Sequence, residues 1–391
     1  MKYNKLLLTL SLATLIATSA QAGYAFDKKV GATDTKLKIF GFAQVEMRGG
    51  EGVLDSEKTD APITFSAQRI RWGMKYSAGN LRAKILVDFN KNGTLNANKG
   101  VPIPDMVKDV FIAYKFNNTA VVKAGVFKSP VGMSWTMPGW NLDNVERAFD
   151  KALVLERTMG LMLSGRGIGF DGNKVDGFEV GHERPWKGFG YDLMLSNQAS
   201  RSQAVLKGST TKGGGISYAV RAMYDYTELL HIEASYGKSQ NAAGYFPADV
   251  DSAKNVDYRL MNMALDSNVD ALSLKAEYFN AINIQGNKSW KEQVTTANLG
   301  YFVTPSLELV VKHVQGRSEK SNVKTSLGNT YLGMNLFLAQ AKTDFSRKSK
   351  RLRNKHRVTA NYIVASGDKE KWNGLNGYKD NAFVMMYQFI F

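Results

Sequence analysis

Residues 69–76, Arg-Ile-Arg-Trp-Gly-Met-Lys-Tyr, decide the fold class of this chain. Their odd-numbered positions are basic or small, and their even-numbered positions are large and apolar. Because successive side chains of a β-strand point to opposite faces, this alternation predicts a strand with one polar and one apolar face. Residues 77–80, Ser-Ala-Gly-Asn, follow as a tight turn, and the alternation resumes in residues 81–89. The two segments together predict a β-hairpin.

The same alternation recurs along most of the chain. Further examples are residues 37–48, 270–279, 306–314 and 351–364. Counting such segments gives sixteen strands, and a seventeenth can be drawn between residues 160 and 190. Short turns alternate with longer links, and an even number of strands joined in this way is typical of outer-membrane barrels. Closure of such a sheet leaves no strand edge unpaired in lipid. We therefore predict an all-β fold, a transmembrane antiparallel β-barrel.

The composition and the last segment agree with this fold class. The chain of 391 residues has a mean hydropathy of -0.27, which is too polar for a helical membrane bundle. Beyond the N-terminus no apolar run approaches the ~18 residues of a spanning helix. Alternate positions from Phe383 to Phe391 are apolar and mostly aromatic, which predicts a lipid-facing stripe ending in an aromatic girdle. A terminal Phe on such a strand resembles the assembly signal of bacterial outer-membrane proteins.

The N-terminal residues have the pattern of an export signal. Two lysines precede the apolar residues 6–17, and Ala20-Gln21-Ala22 follows with small residues at the positions that a signal peptidase requires. A membrane anchor is the alternative, but the apolar stretch is too short to span a bilayer. We predict a signal peptide at residues 1–22 and a barrel domain at residues 23–391, located in the bacterial outer membrane.

One long stretch, residues 128–164, does not alternate. It contains Pro130 and Pro138, and residues 146–157 have a helix-like composition. Interruptions of this length are usually functional or disordered, and the tryptophans and leucines here argue against disorder. We predict a third loop that folds into the barrel and constricts the pore.

The sequence argues against an enzyme. Without cysteine the chain has no disulfide framework, no thiolate metal site and no Cys nucleophile. The four histidines have no partner at metal-ligand spacing, and neither a GxSxG motif nor a glycine-rich phosphate loop is present. A catalytic pair assembled across strands is the alternative that remains open. We expect no catalytic residue, no metal and no cofactor.

Basic residues share one face in several predicted strands. A Lys or Arg facing lipid near the membrane midplane costs ~2–4 kcal/mol, so these side chains are expected in the lumen. The predicted pore-lining residues are Arg69, Arg71, Lys75, Arg82, Lys84, Lys123, Lys275, Lys312, Arg351, Arg353, Lys355 and Arg357. The predicted cations of the constriction loop are Lys128, Arg147, Lys151 and Arg157, with Arg166 just beyond it. Rings of Lys and Arg select anions, and the net charge of +16 favours this interpretation. The alternative is neutralisation by lumen acids, for which Glu46, Asp88, Glu277 and Glu308 are the candidates.

A family resemblance adds to this interpretation. Residues 125–132, Gly-Val-Phe-Lys-Ser-Pro-Val-Gly, resemble the segment that leads into the third loop of the phosphate-selective porin O and P family of Gram-negative outer membranes. Glu156-Arg157 and residues 166–169, Arg-Gly-Ile-Gly, resemble the motifs that follow in that family. The N-terminal third of the chain carries the resemblance. It implies a sixteen-stranded barrel, a homotrimer and the passage of anions, and only the loop motif is carried over, not a phosphate site.

The sequence thus predicts a passive outer-membrane porin biased toward small anions such as phosphate. One alternative is a non-selective diffusion porin, and another is a structural or adhesive barrel whose long loops bind a partner. The expected partners are small anionic solutes, outer-membrane lipid and lipopolysaccharide, the last through the basic residues 347–357. Nucleic acid is not an expected partner of an exported barrel.

Overall fold

The computed structural model describes residues 25–30, 33–50, 63–91, 105–170, 187–199, 202–205, 215–227, 229–240, 256–338 and 354–391. The predicted signal peptide, Arg351 and Arg353 lie outside these residues. The strands in chain order are β1 (Ala25–Val30), β2 (Thr33–Gly49), β3 (Ile63–Ala78), β4 (Leu81–Asp88), β5 (Val107–Asn117), β6 (Ala120–Phe127), β7 (Thr158–Ile168), β8 (Lys187–Asn197), β9 (Ile216–Tyr226), β10 (Leu230–Ser239), β11 (Tyr258–Val269), β12 (Leu272–Ile282), β13 (Trp290–Thr304), β14 (Leu307–Lys320), β15 (Val323–Phe337), β16 (His356–Gly367) and β17 (Ala382–Ile390).

Strands β2 to β17 form a closed antiparallel barrel. Each pairs with the next along the chain, and β17 closes the ring by pairing Phe383–Ile390 with residues 42–49 of β2. The prediction of a sixteen-stranded barrel is confirmed within the described part of the chain. The strand β1 is an addition to the ring that pairs with residues 33–38 of β2. Between residues 160 and 190 the described strands are β7 and β8, and residues 171–186, where the suggested extra strand could be drawn, lie outside the described part of the chain.

The predicted alternation is visible in the exposure of the side chains. In β5, Val110 and Ile112 are exposed on the outer surface, whereas Phe111 and Ala113, which alternate with them, are buried. Large apolar side chains on the outside and polar ones on the inside are the arrangement that a lipid environment requires of a barrel. No helix among the described residues is long and apolar enough to cross a membrane.

The chain between β6 and β7, residues 128–157, folds into the barrel interior. It contains a single turn of helix, α1 (Met133–Thr136), and two short 3-10 segments, Gly139–Asn141 and Phe149–Ala152. The predicted end of this loop at residue 164 is wrong, because β7 already begins at Thr158. Its helix-like residues 146–157 form only the second 3-10 segment, because burial of Leu153, Val154 and Leu155 against the barrel wall overrides local preference.

A row of side-chain amides fixes the first half of this loop to the barrel wall. The row consists of Gln44 on β2, Gln388 on β17, Asn361 on β16, Asn335 on β15 and Asn298 on β13. Their bonds to the loop are Gln44 Nε2 to Gly139 O (3.2 Å), Gln388 Nε2 to Trp140 O (3.0 Å), Val145 N to Asn361 Oδ1 (2.9 Å), Asn335 Nδ2 to Asp143 O (2.8 Å) and Asn144 Nδ2 to Asn298 Oδ1 (3.1 Å). These bonds satisfy buried loop carbonyls and amides and hold the loop across the lumen.

Candidate functional site

A cavity of about 620 Å³ lies between the second half of the loop and strands β2 to β4. Its basic lining residues are Arg48, Arg69, Arg71, Lys91, Lys108, Lys128, Arg147, Lys151 and Arg157. Its acidic lining residues are Asp88, Asp105, Glu146 and Glu156. Nine cations against four carboxylates leave a formal excess of five positive charges around this cavity. Such an excess attracts anions.

Two β-bulges place extra polar residues at this cavity. The pairing of β2 with β3 skips Gln68, and the pairing of β4 with β5 skips Lys108. A bulge adds one residue to a strand and shifts the alternation on one side of it. Consequently Gln68 and Arg69 both line the cavity, although they are neighbours in sequence. Lys108 likewise lines it, beside the inward-facing Asp109 of β5.

Two arginines of the cavity are held in the same way. Arg71 donates from Nε to Asp88 Oδ2 at 2.9 Å, and its guanidinium lies 5.5 Å from the ring of Phe42. Arg157 donates from Nε to Asp109 Oδ1 at 2.8 Å, and its guanidinium lies 5.3 Å from the ring of Trp135. A guanidinium has five donors, and the terminal nitrogens of both arginines have no hydrogen-bond partner among the described residues. These nitrogens are therefore available to a solute in the cavity.

Trp135 is the centre of a cluster of loop cations. Lys128 and Arg147 approach its ring at 5.1 and 5.7 Å, in addition to Arg157. Lys128 donates to the carbonyl oxygens of Trp135, Thr136 and Met137 at 2.6, 3.3 and 2.9 Å. All three of its protons are used there, at the C-terminal end of α1, where carbonyls lack helical partners. Lys128 thus stabilises the loop more than it contacts solute.

Lys151 is exposed to the lumen but surrounded on most sides by protein. The loss of solvation lowers the pKa of its ammonium to about 8, and the nearby cation of Arg147 also lowers the pKa. Its charge therefore depends on pH in the mildly alkaline range.

The opposite side of the cavity is a compensated network. Arg48 on β2 pairs with Glu46 at 2.8 Å and with Glu146 of the loop at 3.1 Å. The hydroxyl of Tyr378 donates to Glu146 at 2.6 Å and accepts from Arg48 at 2.9 Å. The terminal nitrogens of Arg48 are engaged in these bonds, so the contribution of Arg48 to the positive potential is largely cancelled.

The structure places the predicted cations in several groups. The residues that line the cavity are Arg69, Arg71, Lys128, Arg147, Lys151 and Arg157. Lys84 lies behind it and pairs with Asp109 at 3.0 Å. Lys75 and Lys123 lie over aromatic rings elsewhere in the barrel, Lys75 over Phe40 at 5.1 Å and Lys123 over Phe111 at 4.6 Å. Lys275 pairs with Asp143, and Lys312 donates to Glu146 O at 3.1 Å, both on the other side of the loop.

Four predicted positions are corrected. Arg82 lies beside the turn at residues 79–80 and donates to the carbonyls of Gly79 and Leu81. Arg166 belongs to β7 rather than to the loop, and it pairs with Asp192 of β8 at 2.9 Å. Lys355 lies in the turn before β16, so it does not share a strand face with Arg357. Arg357 is fully buried and donates to Leu142 O at 2.7 Å, which makes it a loop anchor and not a lining residue of the cavity.

Sequence reasoning did not select three of the lining cations or the carboxylates that orient the arginines. Arg48, Lys91 and Lys108 are absent from the predicted set, and Asp88 was considered only as a neutralising charge. A polar residue against the alternation, as at Lys108, is the signal of a bulge, but one sequence does not reveal where strand pairing slips. For Asp109, the signal in the sequence is the apolar Val110 that follows it. Because Val110 faces outward, the alternation places Asp109 on the inner face.

A histidine between carboxylates is the nearest approach to a catalytic arrangement among the described residues. His231 contacts Asp225 through Nδ1 at 2.9 Å and Glu233 through Nε2 at 3.1 Å, and it is buried. Because both ring nitrogens are engaged, neither can act on a solute in this conformation. The described residues also contain no group of three or more His, Asp or Glu that could hold a metal ion.

No protein-family model matches the chain, and no curated protein matches it by sequence. Several solved structures match its fold. In-vitro folded OmpT of Vibrio cholerae aligns with a TM-score of 0.59 at 10% identity over 93% of this chain and 99% of that chain. A trimer form of the same protein aligns with a TM-score of 0.59 at 11% identity over 91% of this chain and 99% of that chain. The anion-selective porin from Comamonas acidovorans aligns with a TM-score of 0.58 at 8% identity over 91% of this chain and 100% of that chain. The fold is that of an outer-membrane barrel.

Proposed function

We propose that this protein is a passive outer-membrane porin whose constriction favours small anions such as phosphate. The shared barrel fold supports a channel, and one solved structure with this fold is named an anion-selective porin. The observation that carries the anion preference is the cavity with nine cations and four carboxylates. Within it the terminal nitrogens of Arg71 and Arg157 are open to solute. We propose that neither catalysis nor a cofactor is involved.

The size and the charged lining of the cavity support weak binding and passage. At an effective dielectric near that of a protein surface, one ion pair at 4 Å gains about 4 kcal/mol, and in water about 1 kcal/mol. Several cations around a water-filled cavity therefore concentrate anions without trapping them, as conduction requires. Arg71 and Arg157 are the residues proposed to contact the solute, and Arg69, Arg147 and Lys151 add to the potential.

The remaining parts of the proposal follow from the barrel. We propose export by the signal peptide at residues 1–22, insertion into the bacterial outer membrane and contact with lipid and lipopolysaccharide there. A homotrimer is proposed because a trimer form is among the structures with this fold. The non-selective porin remains the second candidate, since Arg48 and Lys84 are paired with carboxylates.

A bilayer experiment with the purified, refolded protein tests the proposal. We expect stepwise channels in a planar membrane, and under a KCl gradient a reversal potential toward that of chloride. A reversal potential near zero would favour the non-selective porin, and a cation-selective value would contradict the proposal. Protein that inserts but carries no current would favour the structural or adhesive barrel.

A further inference from the structure

Asp109 is an acid in the basic region, and it does not line the cavity. Its two carboxylate oxygens are each taken by a different cation. Oδ1 accepts from Arg157 Nε at 2.8 Å, and Oδ2 contacts Lys84 Nζ at 3.0 Å. The side chains of Asp109 and Arg157 are only 9% and 6% exposed, so this contact is shielded from water and weakly screened by salt.

The contacts of Arg157 fix the plane of its guanidinium. Nε is held by Asp109 on one edge, and Trp135 lies 5.3 Å from its central carbon. The terminal nitrogens of Arg157 have no hydrogen-bond partner among the described residues, and Arg157 lines the cavity. A planar guanidinium with fixed orientation presents two parallel donors, the geometry that binds an oxyanion through two oxygens.

We propose that Asp109 is a positioning residue for oxyanions. Its carboxylate strengthens anion binding by orienting Arg157, although its charge alone would weaken that binding. The inference rests on the proposed function and adds a role for a residue outside the cavity. Without the carboxylate, Lys84 and Arg157 would repel each other, and the guanidinium would lose the contact that fixes its plane.

Glu156 provides the matched control. It is adjacent to Arg157 in sequence and lines the cavity, and it has no hydrogen-bond partner among the described residues. Glu156→Gln and Asp109→Asn each remove one negative charge and keep the size of the side chain. If carboxylates acted only through charge, both variants would bind anions more tightly. If Asp109 positions Arg157, the two variants change binding in opposite directions.

The experiment measures inhibition of the chloride current by inorganic phosphate in planar bilayers. We expect Glu156→Gln to lower the half-inhibiting phosphate concentration by up to a few-fold, and Asp109→Asn to raise it by about fivefold. Asp109→Glu should restore part of the wild-type affinity. A decrease of similar size for Asp109→Asn and Glu156→Gln would overturn the inference, as would wild-type protein that conducts anions without any inhibition by phosphate.

A second variant covers the case in which Asp109→Asn does not fold, judged by far-UV circular dichroism and heat-dependent gel mobility. Arg157→Lys keeps the charge but has no planar fork, so it should weaken phosphate inhibition to a similar degree. Unchanged inhibition in Arg157→Lys would overturn the inference. The reversal potential of the wild type is measured before the variants are compared. A value without anion preference would contradict the proposed function itself.

Discussion

Asn335 of β15 donates from Nδ2 to the backbone carbonyl of Asp143 at 2.8 Å, which joins the barrel wall to the loop that crosses the lumen. The same amide nitrogen also donates to Glu308 Oε2 at 3.0 Å. Both residues are buried, so the bond forms in a region of low dielectric where an unpaired carbonyl would be costly. This bond and its neighbours in the amide row hold the first half of the loop against the barrel wall, together with the contact of Arg357 with Leu142 O.

The first prediction concerns that row. Asn361→Leu removes the bonds to Val145 N and Asn144 Oδ1, which are 2.9 and 3.1 Å long. The loop amides left unpaired cost roughly 1–3 kcal/mol, so the loop should leave its position part of the time. We expect larger and noisier single-channel conductance. Asn280→Leu is the control, because Asn280 has no hydrogen bond to the loop in the described structure. Equal, quiet conductance in both variants would argue against anchoring by the row.

The second prediction concerns pH. The pKa of Lys151 is lowered to about 8, so this lysine is charged below that pH and loses its charge as the pH rises through it. Anion preference should therefore decrease between pH 7 and pH 9, by up to a few-fold in the chloride-to-potassium permeability ratio. In Lys151→Gln the preference should already be reduced at pH 7, with a weaker change toward pH 9. A pH dependence of the same size in the variant would show that another group is responsible.

The third prediction concerns loop packing. Leu153 is fully buried between the loop and the wall, where Tyr258 donates from its hydroxyl to the Leu153 carbonyl. Leu153→Ala should lower the free energy of unfolding by roughly 2–5 kcal/mol, measured by denaturant unfolding in detergent. Leu309→Ala is the control, because Leu309 is 48% exposed on the outer surface. A loss for Leu153→Ala no larger than that of the control would contradict the inward packing of this loop.

The fold was accessible from the sequence because strand parity in a closed barrel separates lipid from lumen. Arg69 and Arg71, and the apolar Ile70 between them, were assigned to the correct faces for this reason. Parity does not report the height of a residue along a strand. Arg82 was therefore predicted to line the pore although it lies beside a turn, and Arg166 was placed with the loop although it pairs with Asp192 of β8. It also fails at bulges, which explains why Lys108 was not predicted.

The loop was the harder part to predict. Its length and aromatic content indicated an inward fold, and the structure places it inside the barrel. Its internal structure depends on contacts with distant strands, such as Arg357 with Leu142 and Tyr258 with Leu153. Because those partners are separated by more than a hundred residues in sequence, local composition could only suggest a helix where a 3-10 turn forms.

The reversal potential of Arg71→Gln/Arg157→Gln beside that of the wild type tests the central claim most directly. Lys320→Gln is the control, because Lys320 lies over Trp290 at the end of β14, away from the cavity. The account predicts that the wild type and the control are anion-selective. It predicts that the reversal potential of the double variant moves most of the way from the wild-type value to zero. An anion preference that is unchanged in the double variant would contradict the assignment of selectivity to this cavity.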